Sequence, residues 1–146
     1  MTAPAAPAGA GPQDVPEPVF ESVEDWVAGY FLPMFRRPVG GEFRWCPRWW
    51  AHPEAVSRLT ALWRSWEAFR LEPTSGISDW YAGHLDHHLP ILLGSRGPFF
   101  QCDPVSGHID ADPFPVEEID YDALAADDGG AAAAEDGDTP GAGAVT

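Results

Sequence analysis

The aromatic side chains of this chain are confined to one continuous stretch. All seven Trp, all eight Phe and all three Tyr lie between residues 20 and 121 of a 146-residue chain. The flanking stretches, 1–19 and 122–146, consist mostly of Ala, Pro, Gly and acidic residues, which bury too little apolar surface to offset the entropy of ordering them. We therefore predict a single Trp-rich globular domain over 20–121. A disordered Ala/Pro/Gly-rich tail is expected before it, and a disordered acidic Ala/Gly tail after it.

The charge of the chain restricts the partners that it can bind. Its formal net charge is −15, and every one of its eight basic residues is Arg. An acidic domain is repelled by phosphate backbones and by anionic lipid, so nucleic-acid binding through a broad basic face is not expected. The N-terminus carries no secretory signal pattern, and no run of 18 apolar residues predicts a membrane span. We therefore expect a cytoplasmic protein that does not bind membranes and whose partner is another protein.

Hydrophobic periodicity predicts three helices, at about 22–32, 53–71 and 78–92. Ser22, followed by Asp25, predicts an N-cap at the start of the first helix. The second is the clearest of the three, because Pro occupies its first position and Glu follows directly. Its apolar residues recur at helical spacing, and the arc that they form includes Trp63 and Trp66. At 100° per residue this arc faces inward, so these two rings are expected in the core.

The segments outside the helices predict a small amount of β-structure. Residues 43–46 read as a short strand, and residues 98–111 read as two short strands around a turn. The resulting fold class is mainly α (α+β), with about three helices and a small β-hairpin or short sheet in one domain.

Two adjacent tryptophans, Trp49 and Trp50, admit both a structural and a functional interpretation. They could contribute to the core, or they could form an aromatic platform for a ligand, a base or a peptide. Because neighbouring residues do not easily face one core together, we expect one of the two rings to lie at the surface.

Cysteine and histidine recur at spacings that suit a metal site. Each of the two Cys is followed by a His six positions later, and two further His lie one turn apart on the third predicted helix. Two imidazoles one turn apart can reach the same ion, and a tetrahedral zinc site needs four such donors. The predicted zinc ligands are Cys46, His84, His88 and Cys102, with His52 and His108 as alternates.

The same Cys and His residues also fit a core without a metal. A buried Cys behaves as a small apolar side chain, His52 can serve simply as the residue that begins a helix, and His84 can be a hydrogen-bonded core residue. A Cys46–Cys102 disulfide is not expected, since cytosolic thiols stay reduced.

Signatures of catalysis are absent from the sequence. It contains neither a Gly-rich phosphate loop followed by a helix nor a Gly-x-Ser-x-Gly nucleophile elbow. Asp86 points away from His84 and His88 on a helix, which argues against a metallohydrolase ligand group. We therefore predict no catalytic and no organic-cofactor-binding residues. A metal- or thiol-dependent enzyme of unknown substrate is the alternative function, and a nucleic-acid-associated factor is the second alternative.

Several motifs along the chain resemble those of a known family. Residues 45–55 read Trp-Cys-Pro-Arg-Trp-Trp-Ala-His-Pro-Glu-Ala, and residues 61–67 read Ala-Leu-Trp-Arg-Ser-Trp-Glu. A His-x-Asp-x-His run follows at 84–88, then Gly-Pro-Phe at 97–99 and Cys-x5-His at 102–108. Over residues 22–110 the chain resembles an uncharacterised actinobacterial domain family of unknown function, from which it departs at His87, where members commonly have Pro.

The resemblance implies no enzymatic activity for this chain, because the family has no assigned activity. Members of that family occur in actinomycetes, often in plasmids or integrated mobile elements, which implies an accessory protein of such a system. Together with the composition, it predicts a small cytosolic accessory or interaction module. If the Cys/His set binds an ion, a structural zinc is the expected cofactor.

Overall fold

The computed structural model describes residues 15–130, and this part of the chain is mainly helical. Its helices are α1 (23–34), α2 (Pro53–Phe69), α3 (76–92) and α4 (Tyr121–Gly130). A 3₁₀ turn, Trp49–Ala51, precedes α2. None of these helices is both long and apolar enough to cross a bilayer.

The chain divides between Ala111 and Asp112 into two compact units. Helices α1, α2 and α3 belong to the first unit, and α4 belongs to the second. The predicted disordered tails fall largely outside the described residues, in 1–14 and 131–146. Within 122–130, where the acidic tail was expected, the chain continues α4. The Asp120 carboxylate accepts the backbone N–H groups of Asp122 and Ala123, and Ala is the strongest helix former.

Helix α1 begins as its sequence predicts and then extends past Pro33. The Ser22 hydroxyl accepts the Asp25 backbone N–H at 3.1 Å, which confirms the predicted N-cap. A π-helical turn, Val27–Phe31, widens the helix, so the Leu32 N–H bonds to the carbonyl of Val27 five residues earlier. This wider turn accommodates the proline ring, and the helix continues to residue 34 instead of ending at Leu32.

Helix α2 runs through the middle of the core, as its periodicity predicts. It begins at Pro53 and ends at Phe69, two residues before the expected end. Leu59 and Leu62 are fully buried and Trp66 is nearly so, whereas Trp63 is only partly buried. The inward arc is therefore confirmed for Trp66, and Trp63 lies at its edge.

Helix α3 contributes Trp80, one of the two fully buried tryptophans of the aromatic core. Like α1, it contains a π-helical turn, Tyr81–Leu85, between two α-helical segments. Trp80 is fully buried and meets Trp26 of α1 edge to face, with ring centroids 6.3 Å apart. Its indole N–H donates to the Leu62 carbonyl at 3.2 Å and to the Ser65 hydroxyl at 3.0 Å, both on α2. Trp80 thus joins all three helices of the first unit.

The predicted β-hairpin does not form. Residues 15–130 contain no strand, and their β-type backbone pairings are isolated ones, such as Phe43 with Gly94 and Asp103 with Gly107. Residues 97–102 curl through consecutive turns, with the Phe100 N–H bonded to the Gly97 carbonyl. The Asp103 carboxylate accepts two N–H groups within residues 103–107. Backbone groups that bond within these turns cannot pair in a ladder, so the segment forms an irregular loop.

Gly97 begins this loop at a point where no side chain fits. A Cβ atom there would lie 2.0 Å from the Ile91 carbonyl oxygen. We expect Gly97→Ala to lower the free energy of unfolding by about 1–3 kcal/mol, because the backbone must move to relieve the overlap. Gly83→Ala is the matched control, since nothing lies within 4 Å of its added Cβ, and it should be neutral or stabilising by up to about 1 kcal/mol. Urea denaturation of both variants measures the difference, and equal stabilities would contradict the packing at Gly97.

Candidate metal centre

Two separate segments of the first unit bring Cys and His side chains to the beginning of α2. His52 precedes Pro53 directly and occupies the N-cap position of α2. Cys46 lies six residues earlier, before the Trp49–Ala51 turn. Cys102 and His108 come from the irregular loop, on either side of the turn whose Gly107 has a φ of 73°, a value that favours glycine. The local turns thus fold each Cys-x5-His segment back so that its Cys and His approach each other.

The four side chains form one compact cluster. Their metal-binding atoms all lie within 4.8 Å of one another. Cys46 Sγ is 3.3 Å from His108 Nδ1, and Cys102 Sγ is 3.5 Å from His52 Nε2. Cys102 Sγ is also 4.0 Å from His108 Nδ1. A zinc tetrahedron with Zn–S bonds near 2.3 Å and Zn–N bonds near 2.0–2.1 Å has edges of roughly 3.3–3.8 Å. The Cys46–His108 and Cys102–His52 separations fall in this range, and no separation in the cluster exceeds it by more than about 1 Å.

The cluster is closed to solvent on most sides. Cys46 is fully buried, Cys102 is 1% exposed and His52 is 6% exposed, while His108 is partly buried. The ring of Phe99 packs edge-on against His52 at 5.0 Å between centroids. Burial of polar side chains is costly unless they bind each other or an ion. In this cluster the Cys46–His108 and Cys102–His52 contacts satisfy that requirement in part, and a shared ion would satisfy all four side chains at once.

Further contacts orient the donors. The Ile109 backbone N–H donates to Cys102 Sγ at 3.3 Å, and the Arg48 backbone donates to Cys46. On its outer side His108 Nε2 lies 2.7 Å from the Asp110 carboxylate. A carboxylate on the far nitrogen of a ligand His is the common outer contact of zinc sites, where it selects the ring tautomer and aims the other nitrogen at the metal.

Burial sets the protonation of two members of the cluster. It lowers the pKa of His52 below its usual value, and the neighbouring His108 acts in the same direction. His52 is therefore neutral at pH 7, which is the form that binds metals. Burial also raises the pKa of the Cys46 thiol, although the N–H bond from the Arg48 backbone opposes this effect. Without an ion, Cys46 is a thiol at neutral pH, whereas a bound cation would favour the thiolate.

The cluster differs from the ligand set predicted from the sequence. It contains Cys46 and Cys102 of that set, together with the two alternates His52 and His108. The ring of His84 instead packs on Phe69, with centroids 4.9 Å apart.

His88 also lies outside the cluster, since its Nδ1 is 3.2 Å from an Arg58 guanidinium nitrogen. Burial lowers the pKa of His88 first, and the Arg58 charge lowers it further. His84 and His88 of α3 therefore contact α2, while the donors come from the segment before α2 and from the loop after α3.

One residue of the centre, Asp110, was not among the residues predicted from the sequence. The sequence pattern that could have identified Asp110 is the His-x-Asp spacing at 108–110, which places a carboxylate two residues after a candidate ligand. In an acidic chain with 23 Asp and Glu residues, such a spacing carries little information unless the fold is known.

Comparison with known proteins gives a family and no activity. Residues 20–120 match the family described as a domain of unknown function (DUF4913). No curated protein and no solved structure matches the chain. The match covers well over half of the chain and includes all four residues of the Cys/His cluster, and the chain therefore belongs to the DUF4913 family of domains of unknown function.

Proposed function

We propose that this protein is a small cytoplasmic interaction module whose irregular loop is fastened to the helices by one structural zinc ion. The main support is that four buried or partly buried metal-binding atoms, from two segments of the chain, lie within 4.8 Å of one another. Structural zinc sites are closed shells of four protein ligands, whereas catalytic sites keep one position for water or substrate. The set Cys46, His52, Cys102 and His108 supplies a complete shell, which favours the structural role.

A bound ion would stabilise the irregular loop, residues 97–108. Residues 97–108 have no strand or helix, and their regular hydrogen bonds are short-range turn contacts. A loop of this kind gains little stability from its own backbone. Zinc binding contributes directly to folding free energy because the unfolded chain holds no preformed site. The ion would therefore hold a surface loop in one conformation against α2.

The module would act through protein contacts. Its charge of −15 opposes binding to nucleic acid and to anionic membranes, and its most compact polar cluster offers no open ligand position. The resemblance of its motifs to those of an actinobacterial domain family implies an accessory role in a mobile-element system. Its partner would be another protein of that system.

Zinc titration of the metal-free protein tests which histidines coordinate the ion. We expect one zinc per chain, measured against a competing chelator, and loss of binding by at least about tenfold in His52→Ala. His88→Ala is the matched control, because His88 is also a partly buried His but lies against Arg58. Equal affinities for the two variants, or a loss in His88→Ala alone, would contradict the proposed ligand set.

Asp110→Asn should weaken zinc binding without abolishing it. The Asp110 carboxylate accepts a hydrogen bond from His108 Nε2. Removal of such a partner of a ligand His lowers metal affinity by about 10–100-fold. Asp112→Asn removes an exposed carboxylate two residues further along the chain that is not a member of the cluster, and it should leave the affinity unchanged. The same chelator competition measures both variants. An affinity for Asp110→Asn equal to that of the parent protein would show that His108 needs no orienting partner.

A thiol-dependent enzyme is the second candidate, and one observation favours it. Cys46, His108 and Asp110 form a continuous relay, with distances of 3.3 Å and 2.7 Å between successive polar atoms. This is the order of nucleophile, base and orienting group in Cys hydrolases. Two facts oppose it: Cys46 is fully buried, and burial raises its pKa, whereas reactive cysteines are accessible and have lowered pKa values.

The alkylation rate of Cys46 distinguishes the two candidates. In metal-free, folded protein at pH 7, the structural module predicts slower reaction with iodoacetamide than that of free cysteine. Mass spectrometry of the modified peptide would identify the site. A rate above that of free cysteine would support the enzyme.

A further inference from the structure

An apolar cavity with an arginine rim lies at the C-terminal end of α1, and it is separate from the metal centre. Its volume is about 220 Å³. The floor is formed by large apolar side chains from α1, the segment after it and the end of α3, namely Phe31, Phe35, Phe43, Trp45 and Leu93. Three arginines, Arg36, Arg37 and Arg44, also line the cavity and are called its rim below.

None of the three rim arginines forms an ion pair within 4.0 Å among residues 15–130, although the charge of Arg44 helps to lower the pKa of Asp103. Arg–carboxylate pairs in this range use Arg58 and Arg70. Arg36 and Arg37 are exposed and donate only to backbone carbonyls. The Nε of Arg44 is buried and has no hydrogen-bond partner in the described part of the chain. A buried donor without a partner is costly. In a protein of net charge −15, three arginines that form no ion pair within residues 15–130 and lie beside an apolar floor favour an anionic ligand.

The size of the cavity restricts that ligand. Sites for drug-sized molecules and cofactors usually enclose about 300–1,000 Å³. A smaller cavity suits a single large apolar side chain, and the rim adds a requirement for negative charge beside it. The matching ligand is an extended peptide with an aromatic anchor and flanking carboxylates.

The chain itself contains such a peptide. Segment 112–120 reads Asp-Pro-Phe-Pro-Val-Glu-Glu-Ile-Asp, with four carboxylates and no basic residue. Phe114 is 96% exposed, Val116 is 87% exposed and Ile119 is 55% exposed. Two prolines hold the backbone on either side of Phe114 in an extended form, which lowers the entropy lost on binding. The segment lies inside the stretch that belongs to the family, although none of its large apolar side chains is buried.

We propose that segment 112–120 of one copy docks into the arginine-rimmed cavity of a second copy, with Phe114 on the apolar floor and Glu117 and Glu118 at the rim. Each copy carries both a segment and a cavity, so a reciprocal exchange closes a two-fold dimer with two equivalent interfaces. Arginine and carboxylate groups can pair bidentately, and the aromatic anchor supplies most of the binding energy. The dimer does not depend on the metal centre, since the two sites share no residue.

Sedimentation velocity of the full-length chain, from micromolar to millimolar concentration, tests the dimer. We expect a monomer–dimer equilibrium that Phe114→Ala weakens by at least about tenfold. Val105→Ala is the matched control, because Val105 is equally exposed at 96% but lies outside both the segment and the cavity. A chain that stays monomeric at millimolar concentration overturns the proposal. A dimer that Phe114→Ala leaves intact also overturns it.

Charge reversal tests the pairing directly. Chains with Arg36→Glu and Arg37→Glu, or with Glu117→Arg and Glu118→Arg, should each be monomeric, because both interfaces of either homodimer then oppose like charges. The two chains mixed together should form a heterodimer, because both of its interfaces are complementary again. All four residues are exposed, so the substituted chains should remain folded, with the far-UV circular dichroism spectrum of the parent chain. Failure of the mixture to dimerise, while the parent chain does, would show that these residues do not meet.

Discussion

Removal of zinc from the folded protein should lower its melting temperature by at least about 15 °C. A ligand present at 1,000 times its dissociation constant stabilises the folded state by about 4 kcal/mol. Each kcal/mol corresponds to about 4–8 °C for a domain of 60–100 residues. The effect should be this large because the four donors are mostly buried, so loss of the ion leaves two thiols and two imidazoles without their common partner.

Calorimetry before and after chelation under reducing conditions measures this effect. Zinc added back in a one-to-one ratio should restore the original melting temperature, whereas Mg²⁺ should not, since thiolate and imidazole donors are poor ligands for it. His88→Ala should retain the full response to chelation, because its side chain lies outside the cluster. A melting curve that does not change on chelation would rule out a structural ion.

Trp80→Ala should be the most damaging single substitution of an aromatic core residue, lowering the free energy of unfolding by about 3–5 kcal/mol. The ring is fully buried and contacts Trp26, Tyr30 and Phe35. Its indole N–H is also the donor that ties α3 to α2. Truncation would therefore create a large cavity and leave the Leu62 carbonyl without one of its donors.

The exposed tryptophan of the chain supplies the control for that experiment. Trp50 is 57% exposed and lies next to the buried Trp49. Trp50→Ala should change stability by less than about 0.5 kcal/mol. Urea unfolding followed by far-UV circular dichroism compares the variants without relying on tryptophan fluorescence. A cost for Trp50→Ala as large as that for Trp80→Ala would contradict the assignment of core and surface.

Helix positions and the burial of the main apolar residues were predictable because they follow from short-range patterns. The start of α2 at Pro53 and the cap of α1 at Ser22 need only a few neighbouring residues, and both agree with the structure. The π-helical turns were not predictable, since no local pattern distinguishes them from α-helix. One of them carries α1 through Pro33, where a helix end was expected.

The loop and the ligand set required information that a single sequence does not carry. Residues 98–111 have the alternating pattern and the turn residues of a β-hairpin. In the structure, however, their backbone N–H groups bond to the Asp103 carboxylate or within the consecutive turns before Cys102, so they are not free to pair in a β-ladder. The choice among the five His depends on which segments meet in space. His84 and His88 have a good metal-binding spacing on α3, yet that face of the helix packs against α2.

X-ray absorption at the zinc edge, on protein purified without added metal, tests the proposed zinc centre directly. We predict one zinc per chain, with two sulfur ligands at about 2.3 Å and two imidazole nitrogens at about 2.0–2.1 Å. The sulfur signal should halve in Cys102→Ala and stay at two in His84→Ala. A shell of oxygen donors, a shell with no sulfur, or protein that takes up no zinc when it is supplied in reducing buffer would contradict a structural zinc at Cys46, His52, Cys102 and His108.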